Sequence, residues 1–363
     1  MSRRRRKTAL ILNSRQQKHP RGSDSWVRNT TKAVEFAAGE GYSIVSSVGM
    51  NTWELVTYHA SRQEAELLLL IPKDVVDPDD LIFDFNLDAE RVEFCEVGCK
   101  TTIGKKWWHA RDLMALDLAD LVIPVSIRPG GDLEGMIASS EKETNRDFAV
   151  EYDSGSRPLY EPVNPERIII DERDDWEYIT HWTRSFDSPW PDQRPYDYYE
   201  MVASGGSHYS HSALNTLLHI VSTGRLAGSS RRIKGGFEVV AFTKKHPAVA
   251  VELMKWRARF VRWNFEPYGI AIETGTALQL GMRPVVYGTH DDYDMLDDSD
   301  KSFYQNVGEK GGDWEPESEW RHAGVLDLNL VPPDRLRIIV RRKSELKVVR
   351  EVTPIEVIAL TDE

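Results

Sequence analysis

Short apolar blocks separated by stretches of helical periodicity, repeated over the first 126 residues, constrain this chain more than any other feature. Ala9 to Leu12 reads as a buried strand that empties into Asn13, Ser14 and Arg15. From Ser25 onward Trp26, Val27, Ala33, Val34, Phe36 and Ala37 recur near helical spacing until Gly39 and Gly41 stop the run. Tyr42 to Val45 is a second strand, ending in Ser46, Ser47, Val48 and Gly49, and Trp53 to Ala60 restarts a helix before a third strand at Glu66 to Ile71. The pattern resumes with a helix at Trp107 to Ala119 and a strand at Leu121 to Ser126, which runs into Arg128, Pro129, Gly130 and Gly131.

Strands alternating with helices in this way need right-handed crossovers and a mostly parallel sheet. The predicted fold class is therefore α/β, with a Rossmann-like, doubly wound, mostly parallel sheet over residues 7–150. The length of 363 residues exceeds one compact core, so a second domain is expected. Tyr152 to Pro165 holds three prolines and no apolar periodicity, as a linker does, and places that domain at 166–363. Strand-like runs there are Ile168 to Ile170, Val239 to Thr243, Tyr268 to Ile272, Pro284 to Tyr287 and Leu336 to Val340, with helices at about 211–223 and 247–261. Without a glycine-rich turn from strand to helix, this half reads as α+β.

The net charge of −12 argues against coating DNA or an anionic membrane, so any nucleic-acid contact is local. No run approaches the ~18 apolar residues of a membrane span, and none is expected. The basic start, MSRRRRK, reads as a disordered solvated tail, with a touch on nucleic acid or an acidic partner as the alternative, and no secretory signal follows it. Two cysteines, Cys95 and Cys99, make neither a zinc tetrad nor a disulfide framework, which points to a cytoplasmic protein.

Small residues at strand ends let backbone N–H groups approach phosphate oxygens, and a following helix adds its positive dipole end. The candidate ligand-binding residues of the first domain are Ser14, Arg15, Ser47, Gly49, Arg111, Gly130 and Gly131. Tight-turn chemistry alone accounts equally well for SSVG at 46–49 and PGG at 129–131. The order strand-NSR, strand-SSVGMNTWE, helix-RD-helix, strand-RPGG resembles the SLOG superfamily, which includes DNA-uptake processing proteins and the LOG nucleotide phosphoribohydrolases. That resemblance implies a Rossmann-like fold that binds a nucleotide, a nucleotide-derived signal or single-stranded DNA, and it implies a homodimer. LOG enzymes carry PGGxGTxxE, whereas here Asp132, Leu133 and Glu134 follow the glycines. With the threonine missing, the resemblance implies binding rather than hydrolysis.

In the second domain, His181 and Thr183 of ITHWTR lie two apart on an extended segment and so share a face, able to hydrogen-bond a ribose or nicotinamide amide. A strand histidine satisfied by its neighbour is the alternative. The later strings, SHSALNTLLHIVSTGRLAGSSRRIKGG, VVAFT, RWNFEPYGIAI, RPVVYG and WEPESEWR, resemble in their order the ADP-ribosyltransferase-like proteins of the DarT and AbiGi type. The resemblance implies that His181 and Thr183 hold NAD and that Glu317 or Glu319 is the acid at the reacting bond. It also assigns Arg231, Arg232 and Tyr268 to binding the cofactor. A preorganised carboxylate would stabilise charge developing at C1′, and an arginine would pair with the pyrophosphate. EWR reads equally as a surface ion-pair ladder.

No metal is expected: His208, His211 and His219 sit in no metal-binding motif, and the acidic stretch 291–301 lacks the glycine and terminal glutamate of a calcium loop. Leu253 to Trp263 interleaves Lys255, Arg257, Arg259 and Arg262 with Trp256, Phe260 and Trp263, a composition that suits nucleic acid. Helical spacing would instead bury those three rings as one stripe with snorkelling basic neighbours. Together the two resemblances imply a sensor of nucleotide signals or DNA whose second domain consumes NAD, as in anti-phage defence or toxin action. The alternative is a non-enzymatic nucleotide or single-stranded DNA binding protein.

Overall fold

The computed structural model describes residues 6–98, 105–153, 161–173, 175–231, 233–306 and 317–362. Cys99, Arg232 and the arginines before Arg6 lie outside them. The chain forms two compact units, Met1–Ser156 with Asp187–Ser210, and Arg157–Phe186 with His211–Glu363. Residues 187–210, which the linear boundary assigns to the second domain, thus belong to the first unit.

The first unit is a six-stranded parallel sheet of β1 (Thr8–Asn13), β2 (Ser43–Ser47), β3 (Leu67–Pro72), β4 (Val92–Val97), β5 (Leu121–Ser126) and β6 (Glu143–Thr144), in the order β4-β3-β2-β1-β5-β6. Its helices are α1 (Ser25–Gly39), α2 (Trp53–Arg62), α3 (Pro78–Phe85), α4 (Lys105–Leu118), α5 (Asp132–Ser139) and α6 (Pro195–Ser204). Ala9, Ile11, Ile44, Leu67, Leu69 and Ile123 pack under α1 to α3, while Leu10, Leu12, Val45, Leu70 and Val122 pack with Ala115, Leu116 and Ile137 on the other face. Both faces being covered, the strands read as unbroken apolar runs. From β1 the chain steps outward to β4, then α4 returns it to β5 on the far side of β1. The reversal between β1 and β5 is a topological switch point, where open α/β sheets bind ligands. On α6, Tyr199 donates to Glu54 at 2.8 Å, and Tyr58 of α2 donates to Glu200 at 2.8 Å.

The second unit is a seven-stranded mixed sheet. Its order is Arg283–Pro284, Glu319–Ala323, Val239–Thr243, Tyr178–Trp182, Gly269–Glu273, Leu336–Arg342 and Glu356–Thr361, antiparallel except for the last pair. One face (Ile179, Val240, Phe242, Ile270, Ile338) packs on Ala213 and Leu217 of α7 (Ala213–Thr223). The other (Trp182, Ala271, Ile339, Leu360) covers Ala250, Val251 and Met254. Ser212 caps α7 by accepting from the Asn215 N–H, and Gly224 ends it at φ 66°, a left-handed geometry that costs glycine nothing.

Two expected elements are replaced. Ile168 to Ile170 forms only an isolated bridge from Ile168 to Thr361. The helix expected over 247–261 stops after Ala250, and the chain turns into a hairpin pairing Trp256 with Trp263 and Arg257 with Arg262. Their rings meet edge to face at 5.7 Å, a cross-strand aromatic pair that stabilises the turn-back. The acidic stretch after Gly288 begins as a short helix, His290–Asp294, with a capping box at Thr289 and Asp292. Among the described residues no helix is long and apolar enough to cross a membrane.

Candidate functional site

The carboxyl ends of β1 and β5 are tied together by one side chain. Asn13, fully buried, donates through Nδ2 to Thr30 Oγ1 of α1 and to Thr52 Oγ1 ahead of α2, both at 3.0 Å, and accepts from the Ser126 N–H at 3.2 Å. Ser14 N–H donates to the Ser126 carbonyl at 2.8 Å, and its hydroxyl accepts from the Arg128 N–H at 2.9 Å. The two strand exits therefore run on side by side past the sheet. Arg15 and Arg128 each sit two residues beyond Asn13 and Ser126, both exposed. Among the described residues neither guanidinium forms an ion pair.

Next to them Gly130, at φ 68°, makes the turn into α5, and Gly131 is its N-cap. The Gly130 N–H donates to Glu134 Oε2 at 2.7 Å. A carboxylate from the first turn of α5 thus occupies this donor, at the position where the LOG signature has its threonine.

Ser14, Arg15, Gly130 and Gly131 are brought together at the switch point. Ser47 and Arg111 serve differently from expectation. Ser47 is fully buried and turns its hydroxyl to the Leu70 carbonyl at 3.4 Å. Arg111, 4% exposed, is bound through Nε and Nη2 to Asp112 Oδ1 at 2.9 and 2.7 Å and through Nη1 to the Val48 carbonyl at 3.2 Å. Burial nevertheless holds the Asp112 carboxyl above its ordinary range, opposed by the pull of Arg111. Gly49, at φ 78°, passes the Arg111 guanidinium so closely that an added Cβ would lie 3.0 Å from Nη1. This pair is a strut for the β2 exit. Sequence reasoning missed Asn13, Thr30, Thr52 and Arg128 as parts of the site. The available signal was that both switch-point strands end in a small polar residue with arginine two places later.

In the second unit the register separates the expected catalytic set. Thr180 and Glu319 both pair with Thr243, His181 lies opposite Ile270, and Arg321 lies opposite Ala241. Side chains alternate along a strand, so His181 and Thr183 project from one face while Glu319 and Arg321 project from the other. The expectation that His181, Thr183 and Glu319 line one pocket is therefore overturned. His181 sits edge-on to Phe242 and shares a hydrogen bond with the Ala241 carbonyl at 2.9 Å through Nδ1. Burial pushes its imidazolium down to about 4. The Thr183 hydroxyl is within hydrogen-bond range of the carbonyls of Ala213 (3.2 Å) and Tyr268 (3.0 Å), and the Tyr268 phenol donates to Glu345 at 2.8 Å. Thr183 thus holds the sheet to α7 and Tyr268 holds it to the segment after the Leu336–Arg342 strand. Arg231 is exposed, and its backbone N–H reaches Ser229 Oγ at 3.3 Å.

On the opposite face Arg321, 1% exposed, donates to Glu319 at 2.8 Å, to Gln305 at 2.6 Å and to the Tyr304 carbonyl at 2.8 Å. A buried ion pair, rather than a surface ladder, explains EWR. Glu317, two residues earlier and half-buried, is pushed up to about 7 by burial and then by the Glu319 charge, against the pull of Arg257 and Arg184. A carboxyl titrating near neutrality suits acid–base or cation-stabilising work.

No protein-family model matches the chain, and no curated protein matches it. Among solved structures it is similar to DNA processing protein A from Helicobacter pylori, described for its single-stranded DNA binding mode, at 14% identity and TM-score 0.29 over 36% of this chain. DNA processing protein A from Streptococcus pneumoniae gives 14% identity and TM-score 0.27 over 39% of this chain. The Moco carrier protein from Chlamydomonas rheinhardtii gives 10% identity and TM-score 0.26 over 39% of this chain. The matched region spans 59% of each DNA processing protein and 74% of the Moco carrier protein. Neither the ligand nor the activity of this chain follows from such partial overlaps.

Proposed function

We propose that the first unit binds a phosphorylated, nucleotide-type small molecule at the switch point between β1 and β5. The observation that carries this reading is the pair Arg15 and Arg128, exposed, without ion pairs among the described residues, and fixed beside each other's strand exits by Asn13, Ser14 and Ser126. Two arginines and the small residues of the Gly130 turn form a setting for charge-assisted hydrogen bonds to phosphate. Calorimetric titration of the full chain with ADP tests it. The double variant Arg15→Glu with Arg128→Glu is expected to bind at least about tenfold more weakly, a loss of about 1.4 kcal/mol. Glu134→Gln, which removes the competing carboxylate, is expected to bind more tightly. Equal affinities in all three proteins would overturn the proposal.

A second reading rests on Glu317. The second unit would cleave the bond between C1′ of the nicotinamide ribose and the ring nitrogen of NAD, nicotinamide leaving with the electron pair and water or an acceptor nucleophile adding to C1′. Glu317, rather than Glu319, is the group whose ionised form is available for the developing cation, since Glu319 is engaged by Arg321. Nicotinamide release from NAD by the full chain should rise with pH through about 7, as that carboxyl ionises, and be abolished in Glu317→Gln. Absence of release from the unaltered chain would remove this reading, and with it the sensor-and-effector role in defence, while leaving the first unit's ligand untouched.

A further inference from the structure

We infer that the hairpin from Trp256 to Trp263 is a binding surface for a single-stranded polynucleotide. Trp263, 5% exposed, anchors it, while Trp256 and Phe260 are half-buried. Lys255, Arg257 and Arg259 are exposed, and the Arg259 and Arg262 guanidinium carbons lie 5.8 and 5.7 Å from the Phe260 ring centre. Three cations on one short hairpin and Lys255 just before it, two of them beside the Phe260 ring, thus share this segment with aromatic rings in a chain whose net charge is −12. The patch is a local exception to the field of the molecule.

Internal partners meet only part of this charge. Arg257 donates to Asn264 at 2.8 Å and feels Glu317, but the register sets it directly opposite Arg262. Among the described residues Lys255 and Arg259 form no ion pair. A phosphate backbone would pair with the exposed Lys255 and Arg259 and release counterions, while bases stack on the half-exposed rings. An anionic membrane surface would answer the charge as well, but insertion needs an apolar tip. Here the tip carries Arg259, and none of the large exposed hydrophobic side chains falls within 253–263.

Fluorescence anisotropy with labelled oligothymidine and labelled oligouridine, on the full chain at low salt, tests the inference and distinguishes DNA from RNA. Binding to at least one is expected, with affinity falling as salt rises. Lys255→Glu with Arg259→Glu should weaken it at least tenfold and flatten the salt dependence by roughly 0.7 in slope for each phosphate left without its cation. Trp256→Phe should retain more affinity than Trp256→Ala. The charge variants lie on exposed positions, and a circular dichroism melt matching that of the unaltered chain establishes that they fold. Absence of binding to both oligonucleotides, unchanged affinity in the charge variant, or binding to phosphatidylserine vesicles alone would overturn the inference. It rests on neither reading above, and the Arg15→Glu, Arg128→Glu protein should keep its oligonucleotide affinity.

Discussion

The guanidinium of Arg321 has no water to fall back on. Its donors reach Glu319, Gln305 and the carbonyls of Ser302 and Tyr304, and the Glu319 side chain is itself only 12% exposed. Such a pair gains little over apolar residues, because desolvating two charges consumes most of their attraction, yet removing one member strands the other. Arg321→Met is therefore expected to destabilise the second unit by about 3–5 kcal/mol. A urea titration should show a lower midpoint with an unchanged slope. If the midpoint does not move, Glu319 is solvated after all and regains its candidacy beside Glu317. The same reasoning makes Asn13 structural, since its amide satisfies three groups from three other segments.

At the scale of elements, legibility followed burial. The strands β1, β2, β3 and β5 stood out because both faces of a parallel sheet are covered, so nothing polar interrupts them. The edge strand β4, with the half-exposed alternation VEFCEV, carries no such signature and was missed together with α3 before it. The hairpin was misread for a different reason. Trp256, Phe260 and Trp263 satisfy a helical stripe, but Trp256 and Trp263 are also symmetric about a turn, which makes them cross-strand partners. Local spacing is the same in both cases, and only pairing decides. Register explains the second unit in like manner. That His181 and Thr183 share a face followed from a period of two within one strand. Which face Glu319 joins depended on its pairing with Thr243 some 76 positions away, and a strand's register is not written in its own residues.

At the scale of the molecule, four histidines shape the response to acid. His19 and His59 in the first unit and His181 and His211 in the second are each pushed down to about 4, chiefly by burial. In the unfolded chain each titrates near ~6.5. Between these values the unfolded state binds more protons, so unfolding free energy falls as pH falls from about 6.5 to about 4. Glu317 acts the other way: raised to about 7, it favours the folded state below that pH and its contribution is lost as pH rises from about 4.5 through 7. Glu54, Asp84 and Asp112, raised by burial, share its sign. The contribution of the four histidines is to make acidification destabilise the protein. Melting followed by circular dichroism from about pH 7.5 down to about 4.5 should show a falling transition temperature. His59→Gln, which keeps a polar group near Thr31 but cannot take up a proton, should make that fall shallower. Because each unit holds two of the four histidines, the loss belongs to both, and a transition temperature that holds steady down to pH ~4.5 would mean the imidazoles are not desolvated as described.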